Sequence, residues 1–193
     1  LTADPALNEV EPREQVGAAT GAAYEYQYHQ AAAEALILLE SADAICIYCE
    51  WHDDFVTETN AVCCYDFHQV KTRQKAKGPW KWKEFFGYSA KGKDEQEPQL
   101  KTDSIFSHLW DHTKKFGSRC GSFIFITDAG IEVEMTKLSE DARQSQCANK
   151  LPEDSGKIFA KIIVQAKRTF PEITEETLFG FLQRLEVKEG LGG

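Results

Sequence analysis

The spacing of apolar residues changes along the first third of the chain, and the change marks a helix followed by strands. Over residues 18–39, Tyr24, Tyr28, Ala32, Ala35, Leu36 and Leu39 recur every three or four positions among Ala, Glu, Gln and Leu, all strong helix formers. The spacing predicts an amphipathic first helix with those six residues on its buried face. Ala44–Trp51 is short and rich in Ile, Cys and Tyr, and residues 55–59 and 65–72 carry the β-branched and aromatic side chains that suit a pleated surface. These read as three strands, the last two joined by a turn at Asn60-Ala61, in an antiparallel meander packed on the helix.

Residues 73–99 are basic, aromatic and broken by Gly78-Pro79, so a loop is expected there with one short helix over 82–88. Residues 104–116 read as a helix capped by Ser104, with Ile105, Leu109 and His112 on one face. Residues 122–127, Ser-Phe-Ile-Phe-Ile-Thr, read as a buried strand that follows a helix and so joins the sheet as a crossover partner. Two further helices are expected over 157–169 and 175–185. The order predicts an α/β domain with a mixed sheet flanked by helices, and there is no internal repeat. The polar residues 1–15, with Pro5 and Pro12, read as a flexible arm, 16–188 as the folded domain, and 189–193 as the start of a linker or the end of the piece. A chain that opens on Leu rather than Met is expected to be part of a longer protein.

Composition narrows the class. A length of 193 residues with 42% hydrophobic content suits one globular domain with a real core. An apolar run such as residues 35–39 is far short of the roughly 20 residues that cross a bilayer. No basic-then-apolar leader opens the chain. No membrane partner is therefore expected, and a cytoplasmic location is. The 6 cysteines, without a secretion signal and mostly within strand-like runs, are expected to be reduced and buried. A net charge of −9 argues against a polyanionic partner, but the charge is uneven. Between Lys71 and Lys93 the only acid is Glu84, against Arg73, Lys75, Lys77, Lys81, Lys83 and Lys91. A local basic patch can track a phosphate backbone, because salt screens the distant acids.

Candidate chemistry lies in the meander, in Glu50-Trp51-His52-Asp53-Asp54-Phe55 and Phe67-His68-Gln69-Val70-Lys71-Thr72. Alternation along a strand points Gln69 and Lys71 the same way, and a hairpin register can bring Asp54 beside them. One carboxylate, one amide oxygen and one ammonium then meet at the ends of neighbouring strands. That set suits phosphodiester hydrolysis with Mg²⁺, or Mn²⁺ in its place. Such a cation takes oxygen ligands: here Asp54, the Gln69 amide and the Val70 carbonyl. Lys71 would hold the attacking water and offset charge in the transition state. Plainer readings stand beside each piece, since Q-x-K is common on edge strands and Asp-Asp is common in turns; the combination is what points to function. Cys46 and Cys49 have zinc-like spacing, but residues three apart in a strand face opposite sides and there is no second pair. His108 and His112, one helical turn apart, read as helix surface or packing. Trp80, Trp82, Phe85, Phe86 and Tyr88 read as packing before base stacking. Arg73, Lys75, Lys77, Lys81 and Lys83 are the candidate DNA contacts.

An Asp followed by Gln-x-Lys across a strand hairpin, after a first helix, resembles the PD-(D/E)xK restriction-endonuclease-like nucleases. It is most similar to the endonuclease domain of CBASS anti-phage effectors, often fused to a SAVED sensor. Gly21-Ala22-Ala23-Tyr24-Glu25-Tyr26-Gln27, Ser104-Ile105-Phe106, Phe125-Ile126-Thr127-Asp128 and Leu178-Phe179-Gly180-Phe181-Leu182 also fit, in the same order. The resemblance implies a restriction-endonuclease-like fold that cuts double-stranded DNA with little sequence preference. It further implies a sensor domain that binds a cyclic oligonucleotide, and a homo-oligomer in the active state. Asp54 would be the metal ligand, Asp53 and Glu50 its supports or alternatives, and Gln27 would face the site to orient a water or the metal. Gln69 stands where the wider superfamily has Glu, which removes one charge and predicts weaker metal binding. The competing expectation is a catalytically inactive nuclease-like module that binds DNA or a partner protein. The intact Asp54, Gln69 and Lys71 separate the two.

Overall fold

The computed structural model describes residues 9–10, 21–40, 44–60, 64–73, 75–88 and 99–190. Most of the expected arm and residues 191–193 lie outside them. The elements are α1 (Gly21–Glu40), β1 (Ala44–Trp51), β2 (Asp53–Thr59), β3 (Cys64–Lys71), α2 (Trp82–Phe85), α3 (Ile105–Phe116), β4 (Cys120–Thr127), α4 (Val133–Gln144), α5 (Glu153–Thr169), α6 (Glu175–Arg184) and β5 (Leu185–Glu189). The strands form one sheet in the order β1-β2-β3-β4-β5. β1, β2 and β3 are antiparallel neighbours, and β3 pairs with β4 in parallel across the α3 crossover. This is the expected mixed-sheet α/β arrangement of restriction-endonuclease-like type.

Two compact units divide the chain. The first comprises Leu1–Gly78, Asp111–Ala129 and Lys188–Gly193. Its sheet has two working faces, set by alternation along β3. Phe55, Val70, Ile124 and Ile126 form one face and meet Tyr26 and Ala31 of α1. On the other, Phe67 lies against His112 and Phe116 from the last turns of α3, with Phe123 stacked beside it. Phe55, Phe67 and Phe123 are fully buried, each contributing about 1.5–3 kcal/mol of apolar transfer. β4 can start beside β3 because Gly121 has no side chain. A Cβ there would run into the Asp66 carboxylate, which accepts the Ser122 N–H at 2.5 Å.

The first helix forms as expected, but its buried face differs. Tyr26, Gln30 and Ala31 are buried, whereas Tyr28, Ala32, Leu36 and Leu39 are exposed, Leu39 by 82%. The second half of α1 is apolar nearly all round, so spacing alone could not tell which stripe meets the sheet. The cysteines also depart from expectation. Among the described residues no cysteine is in a disulfide and Cys120 is buried, but Cys46, Cys49 and Cys147 are exposed. Cys46 and Cys49 lie on β1, at the end of the strand order, where neither side of the strand is fully covered.

The second unit comprises Pro79–Trp110 and Gly130–Val187. Its core is aromatic: Phe106 packs against Phe86, Trp110 and Phe181. Trp82, Phe85 and Phe86 of the basic segment are buried here, as the packing reading expected. α6 begins at a Thr174–Thr177 capping box, and α5 carries Glu153 and Asp154 in its first turn, where the helix dipole favours acids. α4 had no counterpart in the sequence reading, although Met135, Leu138, Ser139 and Ala142 are spaced as one buried stripe. Charged residues dilute that stripe. The helix expected over 175–185 stops one residue early and the chain turns into β5. Glu189 therefore ends a strand, and the Gly190 N–H bonds to the Thr127 carbonyl at 2.8 Å. No helix among the described residues is long and apolar enough to cross a membrane.

Candidate active site

The site begins at the tight turn between β1 and β2. Trp51 pairs with Asp53, which makes His52 the single residue of the turn. Glu50 (φ 56°) and His52 (φ 68°) both take left-handed backbone, a region that residues with a Cβ rarely adopt. The bend sets Asp53 and Asp54 at the very start of β2, beside the end of β3. The β2–β3 register ends at Phe55 opposite His68, and one further step puts Asp54 opposite Gln69.

Asp54 Oδ2 accepts three hydrogen bonds: from Gln69 Nε2 at 2.8 Å, the Val70 backbone N–H at 2.6 Å and Lys71 Nζ at 3.2 Å. Burial pushes the Asp54 carboxyl above its ordinary pKa. The Lys71 charge works against that shift and the Asp53 charge adds to it, while the hydrogen bonds from Val70 and Gln69 lower it. Asp53 is tied at both oxygens. Its Oδ1 accepts from Gln69 Nε2 at 2.7 Å and from the Asp54 N–H at 3.1 Å, and its Oδ2 faces His112 Nε2 at 3.1 Å. The Gln69 amide thus presents its nitrogen to both acids, as two acceptor-only carboxylates require. Glu50 joins the group electrostatically. Desolvation of its carboxyl and the Asp54 charge raise its pKa, against the pull of Lys71.

Two side-chain oxygens and one backbone carbonyl are the candidates to hold a hard cation. Among the described residues, Asp54 Oδ1 and Gln69 Oε1 accept no hydrogen bond. The Val70 carbonyl points to the same side of its strand as the N–H that reaches Asp54. No three His, Cys, Asp or Glu among the described residues converge as a ready-made metal cage. A set of one or two carboxylates with neutral oxygens suits Mg²⁺, which keeps several waters, rather than zinc. The structure thus brings Asp54, Gln69 and Lys71 together on one face, with Asp53 and Glu50 beside them.

A family model described as "Cap4, dsDNA endonuclease domain" matches residues 15–189. The chain belongs to this family. Membership makes it a DNA endonuclease domain and bears out the resemblance read from the hairpin. No curated protein and no solved structure matches the chain.

Other expected residues of this Cap4-family domain fall less centrally. Gln27 on α1 has a buried amide oxygen without a hydrogen-bond partner, and it makes no hydrogen bond to the acids. α1 packs on the sheet face opposite to Gln69 and Lys71. The Arg73 N–H is bonded to Asp128 Oδ1 at 2.9 Å. Lys75 opens a 3₁₀ turn that ends at the exposed Lys77; the Lys75 side chain lies outside the described residues. In the second unit, Lys81 Nζ lies 3.9 Å from Glu132, and Lys83 Nζ sits 5.6 Å above the Trp82 ring. His112 is the residue that the sequence reading passed over. Its spacing predicts helix surface or packing; in the structure it is buried and bonded to Asp53. The signal was present, because His112 falls on the apolar stripe with Ile105 and Leu109, where a polar ring must find a partner.

Proposed function

We propose that the chain is a Mg²⁺-dependent endonuclease, with Mn²⁺ able to substitute, that hydrolyses double-stranded DNA with little sequence preference. Asp54, the Gln69 amide oxygen and the Val70 carbonyl would hold the cation, which when bound supplies Lewis-acid stabilisation of the phosphoryl oxygens and a more acidic water. Lys71 orients the attacking water and offsets the charge that develops on the phosphate, acting from a partly dry position where a fixed charge counts for more than in water. Asp53 holds the Gln69 side chain, and Glu50 adds negative potential next to Asp54. Arg73, Lys75, Lys77, Lys81 and Lys83 attract the DNA backbone. The domain is the output of an anti-phage protein. It is restrained until a sensor domain binds a cyclic oligonucleotide, and it acts as a homo-oligomer in the cytoplasm.

One observation carries this reading: a single carboxylate, Asp54, bonded by an amide and an ammonium two residues apart on the neighbouring strand. The test is plasmid cleavage with Mg²⁺ or EDTA, at low and high protein, by wild type and Lys71→Ala. Loss of Lys71 should lower cleavage about 10²-fold or more. Stability should change by less than about 1 kcal/mol, because the Lys71–Asp54 pair is partly exposed. A Lys71→Ala protein that cuts as well as wild type would refute the assignment.

A further inference from the structure

We infer that His112 is a positioning residue of this site. It fixes Asp53, and through Asp53 it fixes which end of the Gln69 amide is left open. The inference rests on the nuclease reading above and goes beyond it.

Asp53 and His112 are among the least accessible polar side chains near the site, at 4% and 3% exposure. A carboxylate only accepts, so the imidazole nitrogen that faces it carries the hydrogen. Nδ1 of the same ring is buried without a hydrogen-bond partner, so Asp53 is the one side chain that His112 bonds among the described residues. The ring cannot turn away. It stacks on Phe67 at 4.1 Å and 11°, with Phe116 and His52 at its flanks. Phe67 lies two residues before Gln69 on the same strand face, so a single stretch of β3 supports both the imidazole and the amide it governs.

The arrangement matters because position 69 is Gln. A carboxylate offers equivalent oxygens, whereas an amide has two unlike ends and only its oxygen can ligate a cation. The end that stays open depends on where the NH₂ group finds acceptors. Asp53 Oδ1 takes that nitrogen at 2.7 Å, and His112 holds the other Asp53 oxygen so that the carboxylate cannot rotate out of place. Without His112, a buried Asp53 would lose a donor and turn toward another one, out of line with Gln69. A Glu at position 69 would bring a third carboxylate within hydrogen-bonding distance of the other two, whereas the amide nitrogen donates to both.

The test is Mn²⁺ binding, followed by loss of the free-ion paramagnetic resonance signal, in wild type, His112→Phe and His112→Gln, with plasmid cleavage across a metal titration alongside. Phe keeps the stack on Phe67 and removes only the donor. The expected result is Mn²⁺ affinity weaker by about 10-fold or more, and a matching rise in the metal concentration needed for cleavage. Gln, whose amide nitrogen can donate, should restore affinity to within about 3-fold of wild type. A merely structural role would lower the melting temperature and leave Mn²⁺ affinity unchanged, which overturns the proposal. Wild type that binds and cuts, with His112→Phe equal to it in both, overturns the proposal alone. Wild type that binds no Mn²⁺ overturns the nuclease reading together with it.

Discussion

His68 should make the fold sensitive to acid, by an amount the structure allows to be worked out. The residue is buried in β3, its ring stacked on Phe55 at 4.0 Å and its Nε2 within 3.2 Å of Thr57 Oγ1. Burial, and then the positive charge of Lys188, hold its pKa down at about 3, against an ordinary 6.5. Between those values the unfolded chain binds a proton on this ring and the folded chain does not. The stability that comes from keeping it neutral is therefore whole above about pH 6.5 and is lost as the pH falls toward 3. At about 1.4 kcal/mol per pH unit, going from pH 7 to pH 4 removes about 3 kcal/mol through this one group. His68→Phe keeps the stack but strands the buried Thr57 hydroxyl, at a cost of about 1–2 kcal/mol. The variant should thus be less stable than wild type at pH 7 and more stable by about 1–2 kcal/mol at pH 4. Urea unfolding at pH 7, 5.5 and 4 would show whether the two curves cross. Parallel curves across that range would refute the reasoning.

Two other substitutions test the energetics of the site. Burial raises the Asp54 carboxyl, so its ionisation opposes folding: the favourable contribution is whole below the unfolded pKa and lost as the pH rises through the folded one. Asp54→Asn should therefore raise the melting temperature at pH 7 while abolishing cleavage, and an unchanged or lower melting temperature counts against the argument. Glu50→Gly should stabilise the fold by about 1 kcal/mol, because glycine takes left-handed backbone without cost; a fall in unfolding free energy would contradict it.

Alternation was enough to bring the candidate residues together on one face. Period-two alternation puts Gln69 and Lys71 on one side of β3 beside Asp54 of β2, and hydrogen bonds join both side chains to Asp54. Period-two patterning is robust there because one residue of slip would turn Phe67 and Val70 the wrong way. The stripe of α1 was not legible for the opposite reason: with apolar residues on most sides, its docking is set by the sheet and not by its own pattern. His112 was missed because its partner is 59 positions away in sequence, and local spacing carries no record of that. Glu50 and His52 gave no hint of left-handed backbone, which neither residue type favours strongly.

That turn also bears on how the protein responds to warmth. Its backbone is strained at two positions, and what holds it shut is a small group of bonds from Gln69, Val70, Lys71 and His112 to the two acids. A segment built this way can open by itself while the sheet beneath stays zipped. Amide exchange at Trp51 to Asp54 should accordingly outpace exchange in the middle of β3. Heated samples should lose cutting before they lose their far-ultraviolet signal, and recover it on cooling as the turn closes again.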